Sequence, residues 1–340
     1  MRVVSLFNGM NTGRQALENV GIKVEKYYSS EIKPYAIELT QYHFPDTIQV
    51  GDVTKWREWD IDWKSIDLIL SGSPCQDLSA AGKRAGINGK KSSLFFTFVD
   101  ILNHTKSLNP KVLFLQENVG SASKLDVGIM SRALGVYPVR INSSLVTAQL
   151  RDRYYWSNIR TKEDGMFGDI VTDIPQPKDK GIMFKDIITD GYVDTNKHNA
   201  LLQSISRSCT SQESMKKRIL SVPGMINLIY EMQDELRCKT NTSKGYDVVT
   251  ENDCLDLSFP TSTTRRGRVT KGKSPCLMES SNKLYSYKDG IVRTVNKVEM
   301  CRLQGFPDDY CDILSTAKAG SLLGDGWTLP IIEHIFKFIK

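Results

Sequence analysis

Ile66-Asp-Leu-Ile-Leu-Ser-Gly-Ser-Pro-Cys-Gln-Asp-Leu-Ser79 joins a short apolar run to a tight turn that presents one cysteine. A hydrophobic strand that ends this way can hold a nucleophile at the edge of a sheet. The thiolate is the reactive form, and an unperturbed cysteine is mostly thiol at neutral pH. Pro74 fixes φ and removes a backbone donor, so the turn carrying Cys75 is expected to be stiff. Taken alone, the stretch fits a buried cysteine near a strand end as well as a nucleophile.

Working outward, the first half of the chain alternates strand and helix. Val3–Phe7 is a strand followed by the turn Asn8-Gly-Met-Asn-Thr-Gly13 and helical composition over Arg14–Val20. Val24–Ser29 is a second strand, Tyr35–Phe44 a helix and Thr47–Val50 a third strand before Asp52. Leu94, Phe95, Phe98, Ile101 and Leu102 fall at helical spacing within Ser93–His104, and Val112–Leu115 is a strand ending at Glu117-Asn-Val119. The alternation predicts an α/β fold with a doubly wound, mostly parallel sheet. In such sheets ligands gather at the carboxyl ends of the strands.

Those ends carry Phe7-Asn8-Gly9, Glu31, Asp52, Cys75 and Glu117. A glycine turn leading into a helix brings backbone donors close to an anionic group. An acid after the second strand suits ribose hydroxyls, and one after the third can accept from an adenine amino group. The first turn is GxxxG rather than GxGxxG, so each signal is weak alone. Together they describe a nucleoside-type cofactor with a thiol beside it.

Composition sets the bounds. The 340 residues suffice for one large and one smaller domain, and the net charge of +6 permits nucleic-acid binding without demanding it. No apolar run approaches the roughly 20 residues of a membrane span, and no signal-like segment opens the chain. The seven cysteines are scattered without a CxxC pair, which argues against a disulfide framework and a structural zinc site. A reduced, intracellular protein is expected.

Six motifs then occur in order. Leu6-Phe-Asn-Gly-Met-Asn-Thr-Gly13, Gly72-Ser-Pro-Cys-Gln76, Gln116-Glu-Asn-Val119, Gln149-Leu-Arg-Asp-Arg153, Arg302-Leu-Gln-Gly-Phe-Pro307 and Gly324-Asp-Gly-Trp-Thr-Leu-Pro330 span nearly the whole chain. In this order the chain resembles the C5-cytosine DNA methyltransferases. Asp77-Leu-Ser79, Arg153–Trp156 and Trp327 are most similar to the catalytic domains of the mammalian de novo enzymes. The resemblance implies the class I S-adenosylmethionine-dependent methyltransferase fold, with S-adenosyl-L-methionine as donor, S-adenosyl-L-homocysteine as product and duplex DNA as partner.

It also implies roles. Cytosine C5 is a poor nucleophile, and a thiolate adding to C6 divides one hard step into easier ones. Cys75 is then the nucleophile, Glu117 stabilises charge developing at N3 and the exocyclic amine, and Asn118 fixes the loop that holds both. Arg153 is expected at the cytosine O2, and Arg151 at the neighbouring backbone or catalytic loop. The cofactor residues carry over to Phe7, Asn8, Gly9, Met10, Thr12, Glu31, Ile32, Asp52 and Val53, completed by Gly72, Leu94 and Trp327. Asn8 and Asp325 depart from most relatives, the first where an acid or small residue is usual, the second where Asn or Arg is usual.

A base inside a duplex must be extruded to reach Cys75. Gln76–Leu94, with three glycines and the cations Lys83, Arg84, Lys90 and Lys91, suits a loop closing over DNA, with Gln76, Lys83 and Arg84 as contacts. From Ile159 to about Val292 the alternation breaks down, with a helix-like stretch at Gln212–Leu220. This region is expected to recognise the target, dividing the chain into 1–159 with 293–340 and 160–292. Within it Thr263–Lys273 carries Arg265, Arg266, Arg268, Lys271 and Lys273 and no acid, which suits phosphate contacts and a base-edge reader. Helices are expected around Glu299–Leu303 and Ile331–Ile339, and the brevity fits a stand-alone bacterial or viral enzyme.

Two other readings share these residues. A tRNA cytosine methyltransferase would use the same Cys75 and Glu117 chemistry, but the Cys-Phe-Thr signature of such relatives is absent. A catalytically inactive DNA-binding homologue would be expected to lose Cys75, Glu117 or the arginine pair, and all are present. The sequence implies nothing about a cognate restriction endonuclease or the oligomeric state.

Overall fold

The computed structural model describes residues 1–74, 94–166, 168–189, 197–199, 218–220, 229–232, 235–250, 254–256, 267–271, 284–286, 292–294 and 296–340. Two compact units emerge, Met1–Gly181 with Gly326–Lys340, and Ile182–Asp325. These limits differ from the 159/160 and 292/293 boundaries expected from composition. The hairpin β9 (Thr161–Asp164) and β10 (Asp169–Thr172) falls in the first unit, and Lys297–Gln304 and Thr316–Asp325 fall in the second.

The first unit is built on β1 (Arg2–Leu6), β2 (Lys26–Ser30), β3 (Ile48–Gln49), β4 (Leu68–Ser71), β5 (Leu113–Val119), β6 (Val139–Asn142) and β8 (Asp152–Ser157), with a two-residue β7 (Gln149–Leu150) between the last two. The sheet order is β3-β2-β1-β4-β5-β8-β6. β1 to β5 pair in parallel, while β8 runs antiparallel to both β5 and β6. β4, Leu-Ile-Leu-Ser, is buried throughout, which is why it reads as a continuous apolar run rather than an alternating one.

Helices α1 (Thr12–Asn19), α2 (Pro34–His43), α3 (Leu94–Leu108) and α4 (Lys124–Leu134) connect the strands, and α7 (Leu329–Phe336) packs on α1. On α3, Phe95, Phe98, Val99, Ile101, Leu102 and Thr105 form the buried stripe that the spacing predicts. α4, unannounced by the alternation, is capped by the Ser123 hydroxyl, which accepts from Asp126 N at 3.1 Å, and ends at the left-handed Gly135. α1 lies close to the sheet because Gly13 has no side chain: a Cβ there would stand 2.4 Å from Leu70 Cδ1 and 3.0 Å from the Tyr27 hydroxyl.

The chain leaves β1 toward β2 on one side and reaches β4 on the other, so the order reverses between β1 and β4. A crevice at the carboxyl ends of these strands is the expected ligand position. Register sharpens this. Leu6 is opposite both Ser30 and Ser71, and Ser71 is opposite Gln116. The residues one step further, Phe7, Glu31, Gly72 and Glu117, therefore stand in a row. Glu117 and Asn118 belong to β5 itself, which runs to Val119 rather than stopping at Leu115 as expected.

The second unit holds the short strands β11 (His198–Asn199), β12 (Arg218–Leu220), β13 (Ile229–Met232), β14 (Glu235–Lys239), β15 (Tyr246–Val248), β16 (Cys254–Asp256), β17 (Arg268–Thr270), β18 (Leu284–Ser286) and β19 (Val292–Thr294). Small antiparallel sheets form from β13-β14-β15, β17-β16-β18 and β12-β19. Of the helix expected over Gln212–Leu220, the described residues Arg218–Leu220 form strand β12, because they pair with β19. Helices α5 (Lys297–Gln304) and α6 (Thr316–Asp325) pack together in this unit. Among the described residues no helix is long and apolar enough to cross a membrane.

Candidate functional site

The loop after β1 departs from ordinary backbone at two side-chain-bearing residues: Phe7 has φ +55° and Asn11 φ +63°. Asparagine tolerates this left-handed region, but for phenylalanine it is strained, of the kind found at ligand clamps. Neighbouring groups hold the loop in place. Asn8 N donates to Ser30 O at 3.1 Å, and Gly9 N donates to Glu31 Oε2 at 2.8 Å. The other oxygen of Glu31 accepts from Ile32 N at 2.8 Å and Lys33 N at 2.9 Å. Glu31 is thus pinned beside the loop by three backbone donors.

Asn8 points into the protein. Its Oδ1 accepts from the Tyr27 hydroxyl at 3.3 Å, and its Nδ2 donates to Thr40 Oγ1 at 3.4 Å. Burial pushes the Tyr27 phenol above its usual range, so it stays a donor. A neutral amide satisfies both partners, whereas a carboxylate there would be a desolvated charge. This accounts physically for the departure at position 8.

The remaining expected cofactor residues divide by exposure. Ile32 and Asp52 are exposed, and Phe7, Gly9, Glu31, Gly72, Leu94 and Trp327 are half-buried. Met10, Thr12 and Val53 are buried. Asp52 Oδ1 accepts from both Thr54 N and Thr54 Oγ1 at 2.9 Å, and the Thr54 N–H chiefly holds its carboxyl below the ordinary carboxylate range.

Across the reversal point, Glu117 meets two donors from different directions. Arg153 Nε lies 2.8 Å from Oε1, and Trp327 Nε1 donates to Oε2 at 3.1 Å. The ion pair is nearly buried, with side-chain exposures of 14% and 11%. It forms because β8 runs back along β5, setting Arg153 opposite Val119, two residues from Glu117 on the same face. Arg151 is buried and donates from Nη2 to Gly326 O at 2.7 Å. Burial first, and then the Glu117 charge, raise the phenol of Tyr155 opposite.

The turn leading to Cys75 is held from β5. Gln116 Nε2 donates to Ser73 Oγ at 2.9 Å and to Glu117 O at 2.7 Å. Asn118 Nδ2 donates to Ser73 Oγ at 3.3 Å, while Asn118 Oδ1 accepts from Val119 N at 2.8 Å. Sequence reasoning missed Ser73 and Gln116. Both lie inside quoted motifs, and a polar residue next to Pro74 and another in a buried strand were the available signals.

Cys75, Gln76, Lys83, Arg84, Arg265, Arg266 and Lys273 lie outside the described residues. Arg268 begins β17. Lys271, expected at DNA, is exposed and donates from Nζ to Val248 O at 2.8 Å and to Thr250 Oγ1 at 3.3 Å. Asp325 is the last residue of α6. Among the described residues no group of three or more His, Cys, Asp or Glu side chains could hold a metal ion.

Comparison with known proteins adds four findings. A family model described as C-5 cytosine-specific DNA methylase matches residues 1–340. Type II methyltransferase M.HpaII of Haemophilus parainfluenzae is 26% identical over 354 residues, covering 99% of this chain and 88% of that one. Orphan methyltransferase M.SPRI of Bacillus phage SPR is 34% identical over 175 residues, 47% of this chain and only 38% of that one. Among solved structures, the Entamoeba histolytica methyltransferase EhMeth superposes over 100% of this chain and 97% of its own, with a TM-score of 0.56 and 14% identity. That last likeness shows the fold, a class I methyltransferase sheet with its helices.

Proposed function

Because the chain belongs to the C-5 cytosine-specific DNA methylase family, we propose that it methylates C5 of a cytosine flipped out of duplex DNA. The observation that carries this reading is the Glu117–Arg153 pair at the carboxyl edge of the sheet, in register with Gly72 and Phe7. A carboxyl group held between a guanidinium and an indole N–H can offer a proton to N3 with one oxygen and accept from the amine of a pyrimidine with the other.

The residues present suit S-adenosyl-L-methionine. Glu31 is fixed by backbone donors, Asp52 is exposed, and Phe7 and Ile32 offer apolar surface beside them. Two acids match ribose hydroxyls and an adenine amine or ammonium, and the apolar pair matches a purine ring. When bound, this group supplies an electrophilic methyl on a sulfonium.

The protein's own residues do the rest. Cys75, one residue past the turn that Gln116 and Asn118 hold through Ser73, adds as thiolate to C6 and makes C5 nucleophilic. Glu117, entering as the acid, gives its proton to N3 as sulfur adds while its other oxygen accepts from the exocyclic amine, and Arg153 holds Glu117 while reaching toward O2. Once C5 carries the methyl, the C5 proton leaves to a base or ordered water and the Cys75 sulfur is expelled from C6. The unit Ile182–Asp325 reads the target, with Arg265, Arg266, Arg268 and Lys273 as contacts, while Gln76, Lys83 and Arg84 close over the extruded base. Lys271 serves there as a tie to β15 as much as a phosphate contact.

The test is transfer of labelled methyl from S-adenosyl-L-methionine to duplex DNA or to tRNA, with Cys75→Ala as control and bisulfite sequencing of the DNA. Label in duplex DNA that disappears in the variant is expected. Label in tRNA alone would replace the substrate, and label in neither would leave a binding protein.

A further inference from the structure

We propose that Trp327 is a positioning residue for Glu117, a role separate from any contact with the cofactor. The proposal rests on the reading above, since it concerns the same carboxylate. A free glutamate side chain samples many rotamers, and fixing it costs conformational entropy. Here one donor meets each oxygen, Arg153 Nε on Oε1 at 2.8 Å and Trp327 Nε1 on Oε2 at 3.1 Å. Two donors from different elements fix both the position and the plane of the carboxylate. Each oxygen keeps one free position for a base, one to accept from its amine and one to carry a proton toward N3.

The indole is itself held firmly. Gly326 O accepts from Arg151 Nη2 at 2.7 Å, and the Ser143 hydroxyl donates to Thr328 Oγ1 at 2.8 Å. Trp327 thus sits between two anchored residues. It also lies against Gly72, where a Cβ would come within 2.8 Å of Nε1 and 3.3 Å of the ring. The absence of a side chain at position 72 lets the indole reach Glu117 from above the end of β4. Both arginines of the Gln149–Arg153 motif therefore converge on one carboxylate, Arg153 directly and Arg151 through Gly326 and Trp327. The indole is neutral, so it orients Glu117 without adding a second positive charge.

Trp327→Phe keeps an aromatic ring near Gly72 and removes the donor together with one of the two fused rings. Single-turnover methyl transfer to duplex DNA is expected to fall about ten- to hundredfold, the range for hydrogen bonds to charged groups. The Kd for S-adenosyl-L-homocysteine, measured by calorimetry, is expected to change several-fold less than the transfer rate, because an aromatic wall is retained. Trp327→Ala removes the ring as well and is expected to weaken both. A wild-type transfer rate in Trp327→Phe overturns the proposal. So does a rate loss matched by an equal loss of S-adenosyl-L-homocysteine affinity, which would make the indole a cofactor wall only. Retained S-adenosyl-L-homocysteine binding also shows that the variant is folded. If the wild-type protein transfers nothing to cytosine, the functional reading fails and this role with it. Active wild type with an indifferent Trp327→Phe sinks this role alone.

Discussion

The edge row of the first unit and the exposed ties of the second are positioned by different forces. Phe7, Glu31, Gly72 and Glu117 are aligned by the register of four parallel strands whose centres are buried. The carboxylates of Glu31 and Glu117 are then tied by mostly half-buried bonds. In the second unit the described strands are mostly three residues long, and exposed or half-exposed contacts do much of the tying, such as Lys271 to Val248 O and Arg302 to Asp308. A buried arrangement resists displacement and punishes substitution; an exposed one adapts.

The sharpest test of that contrast is Glu117→Gln. It keeps shape but removes the charge that Arg153 pairs with, and single-turnover methyl transfer is expected to fall about 10²–10³-fold. Retained S-adenosyl-L-homocysteine binding would show the fold intact, while a loss below tenfold would break the comparison. Next comes Gly72→Ala. The added methyl falls 2.8 Å from Trp327 Nε1, so the indole or the end of β4 must shift. Overpacking of this kind costs about 1–3 kcal/mol, which thermal melting should register as a lowered Tm together with slowed transfer. An unchanged Tm would mean that the indole moves freely, contrary to its two anchored neighbours.

How far the sequence disclosed this follows the same division. The parallel sheet was legible because β1, β4 and β5 carry apolar runs that end in turn residues, a pattern that fully buried strands impose. The row of edge residues was legible as a set, but Glu117 lies inside β5 rather than beyond it, since strand pairing with β8 carries the ladder to Val119. The grip of Trp327 on Glu117 spans 210 residues and depends on Gly72 having no side chain, which no local pattern encodes. Asn8 is expected among the cofactor residues, and the sequence does not show that its side-chain amide turns inward to Tyr27 and Thr40. In the second unit, short strands give little periodicity to read, and Arg218–Leu220 pairs as strand despite helical composition.

Smaller effects are expected there. Asn296 caps α5, accepting from Glu299 N at 2.9 Å while Glu299 Oε2 accepts from Asn296 N at 2.9 Å. Asn296→Ala should cost about 1 kcal/mol in denaturant unfolding. A cost above that of Gly72→Ala would reverse the ranking of the two units.

The smallest effect is expected at the exposed pair Arg302–Asp308, and its pH dependence makes it readable. Arg302 Nε donates to Asp308 Oδ1 at 2.8 Å and Nη2 to Oδ2 at 2.6 Å. The guanidinium holds the Asp308 carboxyl below its ordinary value of 3.8. A folded-state value lower than the unfolded one stabilises the protein at pH above 3.8, and the contribution fades as pH falls through the depressed value. Both side chains are a third or more exposed, so solvent screening limits the pair to about 0.5 kcal/mol. Asp308→Asn should therefore lower Tm slightly at pH 7 and at low salt. The gap from wild type should narrow below pH 4, where Asp308 loses its charge, and shrink at high salt. Arg302 would still donate from Nη1 to Ile187 O at 2.9 Å, so α5 keeps a second tie when the ion pair is gone. A gap that persisted in acid would place the contribution of Asp308 in neutral hydrogen bonding rather than charge, and would make this contact resemble the buried ties of the first unit.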